Sequence, residues 1–358
     1  MHAYSQGIRD AKTYLVIYDD IPKPPDLPEG WSVRFARPNE EEGILRVLES
    51  AFPRWPKFAG QVEPIEHLRW KMASHPLAAQ FHIIVDSPEG VVGARLEWAF
   101  EAKIGDNVCL VREPVDRAVK PSHQRNYAMS AMRVYGQEDR DTNFDVYLGY
   151  SSDTPGLRNM RRYRVPDSAR YQRSLDVLVC DLKQTQCASV GTSWEISAVD
   201  SFDGRVEALW AKAKLQFLYA VVRSAAYLNW RYADPRAGNY AVLAAVNDSG
   251  WLGYIVLRSS EKAGYIADLL ALPDRTDVVE SLLAAALERL RADGVRRVEC
   301  WSETHSVYRW ALDNAGFRRP RRSIGLVFRP LSFPPEEAAF FAEPKASVHI
   351  MAGDTDLV

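Results

Sequence analysis

Cysteine is scarce in this chain. The four residues Cys109, Cys180, Cys187 and Cys300 are scattered over 358 positions, too few and too far apart for a disulfide framework, and no two stand as Cys-x-x-Cys. The seven histidines include no His-Glu-x-x-His and no second histidine at ligand spacing, so no metal is expected. Long apolar runs are missing too. None approaches the roughly 20 residues of a membrane helix, and Arg9, Asp10, Lys12 and Asp19 stand where a secretion signal is apolar. A cytoplasmic protein without a membrane partner is expected. Charge of one sign is also lacking: 45 Lys+Arg against 47 Asp+Glu leave a net charge of -2, which gives no broad field for nucleic acid. The motifs GxSxG, GxxxxGK[ST] and GxGxxG are absent, which removes the commonest serine-hydrolase, triphosphate-binding and dinucleotide readings.

What the chain does have is 47% hydrophobic residues, enough for folded cores, and a length that suits two domains. It also repeats itself. Leu68-Arg69-Trp70-Lys71-Met72-Ala73 resembles Leu228-Asn229-Trp230-Arg231-Tyr232-Ala233, each followed closely by Pro, at an offset of 160. Gly90-Val91-Val92-Gly93 matches Gly250-Trp251-Leu252-Gly253 at the same offset. A third block, Asp116 to Pro121 against Asp268 to Pro273, aligns at a shorter one, which predicts a longer strand-loop around Glu101 to Asn107 in the first copy. Each block has the same local reading: a helix with a Trp-containing end and a Pro stop, a hairpin about a polar turn, then a strand ending at Pro. Apolar positions at helical spacing follow each Pro, Ala128, Ala131, Met132 and Tyr135 in one copy and Val279, Leu282, Leu283, Ala286, Leu287 and Leu290 in the other. Gly136 and Gly294 are placed to end these helices.

The expected architecture is therefore α/β: two tandem units, each a central mixed sheet flanked by helices. The divisions are an extension over 1–30, a first unit over 31–182, a linker over 183–198, a second unit over 199–330 and a tail over 331–358. Each unit reads β-α-α-β-β-β-α-β-α-β. That order, with a strand-Pro-turn-helix at its centre, resembles the GNAT (Gcn5-related N-acetyltransferase) superfamily, here in tandem.

The resemblance implies acyl transfer from acetyl-CoA or another acyl-CoA to the amine of a small-molecule acceptor. The family's R/Q-x-x-G-x-G/A segment holds the coenzyme pyrophosphate on helix N-H groups. In the first copy it corresponds to Val119, Lys120, Gln124, Arg125, Asn126, Tyr127, Ala128 and Met129, with Tyr127 and Met129 where the family has small residues. In the second copy Thr276 and Val279 replace the motif residues, and Asp277 and Glu280 oppose an anion, so the first copy is the expected coenzyme site. The family chemistry implies an oxyanion-holding N-H near Val119, a base from Glu97 or Asp116, and an acid from Tyr147, Tyr150 or Tyr163. The corresponding second-copy groups are Glu303, His305 and Tyr308.

Other readings stand beside these. Glu97 alternates with apolar neighbours and equally reads as water-facing, while Asp116, matched by Asp268, equally reads as structural. Trp70 and Trp230 read as core or inter-domain packing. The weakened pyrophosphate loops also suit a Fem-like transferase that takes its aminoacyl group from tRNA, or a ligand-binding pair without turnover. The tail reads as a segment that docks, inserts into a cleft or frays.

Overall fold

The computed structural model describes residues 26–56, 62–124, 127–151, 171–183, 194–260, 263–319, 322–343 and 345–356. The first copy contains β1 (Ser32–Phe35), α1 (Glu41–Ala51), α2 (Pro64–Met72), β2 (Ile83–Ser87), β3 (Gly90–Ile104), β4 (Asn107–Val119), α3 (Ala128–Val134), α4 (Gln137–Asn143), β5 (Val146–Ser151) and β6 (Tyr171–Asp181). The second contains β7 (Glu195–Val199), α5 (Gly204–Ala213), β8 (Tyr219–Val221), α6 (Ala225–Leu228), β9 (Tyr240–Asn247), β10 (Gly250–Ser259), β11 (Gly264–Ala271), α7 (Thr276–Ala292), β12 (Arg297–Ser302), α8 (Arg309–Asn314) and β13 (Ser323–Pro330). The tail adds α9 (Pro335–Ala338), β14 (Val348–His349) and a helical turn at Ala352–Asp354. Strand β7 already begins inside the stretch expected as linker. The extra residues of the first copy lengthen the β3–β4 hairpin, whose far end pairs with β8.

Helices cover both faces of the sheet, which explains why its middle strands read as nearly continuous apolar runs; β10 is buried over most of its length. All the strands join one sheet, ordered β1-β2-β3-β4-β5-β13-β6-β12-β11-β10-β9-β7 along its main path. The order reveals an exchange. Strand β6 ends the first copy but pairs with β12 of the second, from Arg297 opposite Asp181 to Ser302 opposite Asp176. Strand β13 ends the second copy but pairs with β5 of the first, from Gly325 opposite Ser151 to Pro330 opposite Val146. The two exchanged strands run antiparallel beside each other at the centre, so an approximate twofold axis passes between them. Tyr219, Phe328, Phe341 and Ile350 share one buried cluster with Val111 and Leu148, so second-copy and tail residues complete a first-copy core.

The repeat is also visible in one contact. Trp70 and Trp230 stack with ring centroids 5.1 Å apart and planes 18° from parallel. Each indole N-H donates to the other residue's backbone carbonyl, at 2.7 Å from Trp70 and 3.3 Å from Trp230. This is the packing expected of the pair, with the added feature that it is reciprocal. Trp70→Ala and Trp230→Ala should each cost roughly 3–5 kcal/mol, as large aromatic truncations in cores do. The double variant should cost clearly less than the sum, because each single change already removes the shared contact. Urea unfolding of the four proteins checks this; strict additivity would contradict the reciprocal contact.

Candidate functional site

A parallel pair of strands joined by a helical crossover opens wherever its pairing stops. Strands β4 and β5 pair only at Val111 with Val146 and Arg112 with Tyr147, then part. Strands β11 and β12 pair from Gly264 with Val298 to Ile266 with Cys300, then part in the same way. Each opening strand is also bulged against its antiparallel neighbour, β4 between its pairings with Ala94 and Leu96, β11 beside Val256 and Leu257. The bulge in β4 contains Asp116, held at φ 42, which turns its carboxylate out of the ladder.

The two openings are filled differently. In the second copy the tail lies along β11. Gly353 passes so close that a Cβ there would stand 2.8 Å from the Ala267 carbonyl oxygen. His349 stacks on Phe217 at 4.6 Å and meets the Tyr308 ring at 5.6 Å. The Tyr308 hydroxyl accepts from the Ala271 N-H at 3.0 Å and returns a bond to its carbonyl at 3.4 Å. Glu303 is held by both arms of Arg173, with Nη2 2.7 Å from Oε2, and burial raises its pKa. The same guanidinium donates to the Glu343 carbonyl at 2.9 Å, tying the tail down. His305 is exposed at a turn. Tyr308 thus touches the tail directly and Glu303 is linked to it through Arg173, while His305 meets neither.

In the first copy the opening is lined by ionisable groups. Lys71, at the end of α2, is buried; it pairs with Asp116 and lies 3.4 Å from Asp356 of the tail. Glu113, the first β4 residue past the last β5 pairing, is fully buried beside Tyr150 of β5, and burial lifts its pKa well above the carboxylate range. Burial and Glu113 together raise the Tyr150 phenol as well, and its hydroxyl donates to the Asp354 carbonyl at 3.4 Å. Arg231, the repeat partner of Lys71, donates to the carbonyls of Gly353 and Thr355 at 2.8 and 3.0 Å and so fixes the backbone that presents Asp356.

Of the expected first-copy residues, the fold therefore brings Asp116 and Tyr150 together. Glu97 and Tyr147 lie on the opposite face of the sheet. Contrary to the water-facing alternative, Glu97 is fully buried, 2.6 Å from Arg95. Tyr147 packs under Arg112, with 4.9 Å between guanidinium and ring centroid. Val119 is buried at the end of β4, and Lys120 opens the turn after it. Gln124 is exposed. Tyr127 starts α3 at φ 60 with its ring turned out, half exposed, while Ala128 beneath it is buried and Met129 is exposed. Arg125, Asn126 and Tyr163 lie outside the described residues.

The loop before α3 carries Lys120 and no acidic residue in the first helical turn. The first turn of α7 carries Asp277, its carboxylate already 2.9 Å from Arg275. Lys71, Glu113 and Asp356 are additions of the structure. A usable signal existed for Lys71, since a cation follows the Trp in both copies.

No family model matches the chain, and no curated protein matches it. Solved structures do. A protein of Enterococcus faecalis V583 described as a "Probable N-Acyltransferase" superposes with a TM-score of 0.61 at 12% identity, over 85% of this chain and 74% of that one. The chain has a tandem GNAT-like fold. A GCN5-related N-acetyltransferase from Anabaena variabilis gives 0.60 at 12% identity, over 83% and 72% of the two chains. Saccharomyces cerevisiae N-myristoyltransferase, solved with bound myristoyl-CoA, gives 0.57 at 10% identity, over 87% and 86%. Among the described residues, no helix of this tandem fold is long and apolar enough to cross a membrane.

The buried tail makes a test by pH. Burial, with Arg223 nearby, pushes His349 down to about 3. The unfolded chain takes up a proton there below about pH 6.5 that the folded chain refuses, so falling pH withdraws up to about 1.4 kcal/mol of stability per unit until the folded value is reached. The stability advantage of wild type over His349→Gln should shrink as pH is lowered from about 7 to about 5, read by urea unfolding. A difference independent of pH would contradict a neutral, buried His349.

Proposed function

We propose that the chain is an N-acyltransferase that moves an acyl group from acyl-CoA to the amine of a small-molecule acceptor, at the opening between β4 and β5 of the first copy. The observation that carries this reading is the lining of that opening, where two kinds of carboxyl group meet. Asp116 is paired with a buried ammonium, whereas Glu113 is fully buried beside the Tyr150 phenol and burial raises its pKa well above the ordinary carboxylate value. Groups whose surroundings differ so far in charge divide acid from base. The tandem fold it shares with N-acyltransferases, one of them solved with myristoyl-CoA bound, supports a CoA thioester as donor.

In this reading Asp116 accepts the proton of the incoming amine, with Lys71 and Asp356 fixing its position. The amine nitrogen attacks the thioester carbonyl; the carbon-nitrogen bond forms and the carbon-sulfur bond breaks. Tyr150, beside Glu113, supplies the proton that the departing thiolate takes. Backbone N-H groups at the β4 bulge face the oxygen on which charge develops. The second opening is closed by the tail, which supports one working copy of the two.

The test is thermal unfolding with acetyl-CoA, longer acyl-CoAs and aminoacyl-tRNA added separately. A ligand at 100 times its dissociation constant stabilises the native state by about 2.7 kcal/mol, so a CoA thioester should raise the melting temperature by several degrees. A salt-sensitive response to aminoacyl-tRNA alone would overturn the reading in favour of the tRNA-dependent one. With an accepted amine, Asp116→Asn should lower kcat by roughly 100-fold or more while leaving donor binding in place.

A further inference from the structure

Lys71 and Arg231 hold the same place in the two copies, and Asp116 and Asp268 do likewise, but the second copy uses its cation differently. Asp268 is held by Arg223 at 2.9 Å and by the Tyr254 hydroxyl at 2.8 Å, and the first copy has Ala94 where the second has that tyrosine. Arg231 reaches the tail. Its Nε donates to the Gly353 carbonyl at 2.8 Å, its Nη2 to the Thr355 carbonyl at 3.0 Å and its Nη1 to the Tyr240 hydroxyl at 2.7 Å. The group is fully buried, with the rings of Trp98, Tyr232 and Tyr240 centred 5.5, 5.4 and 5.3 Å from its guanidinium carbon.

A planar fork whose donors are all aimed by packing leaves the tail backbone little freedom. The residue after the second gripped carbonyl is Asp356, whose carboxylate lies 3.4 Å from the Lys71 ammonium. A second route joins the same two cations. Trp98 of β3 has the Arg231 guanidinium 5.5 Å and the Lys71 ammonium 5.6 Å from the centre of its ring, and its indole N-H donates to the Lys71 carbonyl at 3.1 Å. Arg231 therefore stands one residue away from both Lys71 and the second carboxylate on Lys71.

We propose that Arg231 is a positioning residue for the transfer at the first-copy opening, which it serves from the second copy by setting Asp356 against Lys71 and so fixing Asp116. This rests on the acyl-transfer reading above. Arg231 touches no reactant in this arrangement; its effect passes through the tail and through Trp98. Lysine in its place keeps the charge but donates from a single point, so it cannot hold two carbonyls along fixed directions.

The test follows thiol release from acetyl-CoA with the best primary amine of wild type, and measures acetyl-CoA binding separately by calorimetry. Arg231→Lys should lower kcat by roughly 10- to 100-fold, as a misplacement of about 1 Å does, and leave acetyl-CoA binding within about twofold of wild type. Asp356→Asn should show the same split. Combining the two should cost little more than either alone, since both remove one support. Additive losses in the double variant, or weakened donor binding with kcat unchanged in Arg231→Lys, overturn the inference and leave the acyl-CoA reading intact. Wild-type kcat in Asp356→Asn, which leaves the Arg231 fork and its rings untouched, overturns it whether or not Arg231→Lys folds. A wild type that releases no thiol with any primary amine overturns the transfer reading and this inference with it.

Discussion

The structure depends on where the tail's two carboxylates go. Asp354 and Asp356 are both carried inside, where an ionised group needs a partner charge. Asp354 meets Arg223 at 2.8 Å, which also holds Asp268 of β11 at 2.9 Å. Asp356 meets Lys71, which also holds Asp116 of β4. Asp116 and Asp268 are repeat partners, so one tail supplies the same kind of third member to both copies, through one cation in each. Breaking a buried pair by removing one partner costs roughly 3–5 kcal/mol, because the other charge is left behind without compensation. The tail is thus as much a part of each copy as the copy's own strands.

The exchange of β6 and β13 has the same consequence. A unit cut out at its sequence boundaries takes with it a strand whose hydrogen bonds belong to the other sheet, and it leaves β5 or β12 with a bare edge. The Trp70–Trp230 stack adds a direct bond across the axis. Duplication normally yields two cores that fold side by side. Here it yields a single sheet in which each half is completed by the other, with the unduplicated tail lying across both.

The repeat was legible because it rests on local chemistry. Trp, Gly and Pro at fixed spacing mark a helix end, a hairpin turn and a strand end, and each feature is set by the residues immediately around it. Asp116 was legible for the same reason, as half of a repeated pair. Glu97 shows the limit. Its apolar neighbours alternate correctly for a strand with one wet face, but helices cover both faces of this sheet, so a position that reads as outside is inside. What makes Glu97 tolerable there is Arg95 two positions before it, together with Arg112 and Arg140 from other elements, and no spacing rule joins these residues. Glu113 lies one strand residue from Arg112 and on the other face, and only the point where β4 leaves β5 gives it significance. Asp356 sits near the end of a tail whose destination has no signal in its own sequence.

Symmetry then bears on which copy works. Two equal copies would offer two equal openings, and one tail meets the two with different residues. Gly353 admits the tail against β11 because no Cβ stands in the way, and Tyr232, whose hydroxyl would lie 2.2 Å from that Cβ, closes over it. Beside β4 the same tail meets Tyr150 through the Asp354 carbonyl and Lys71 through the Asp356 carboxylate. The segment that lies against β11 is thus the one that brings Asp356 to Lys71, so a single stretch of chain shapes both openings.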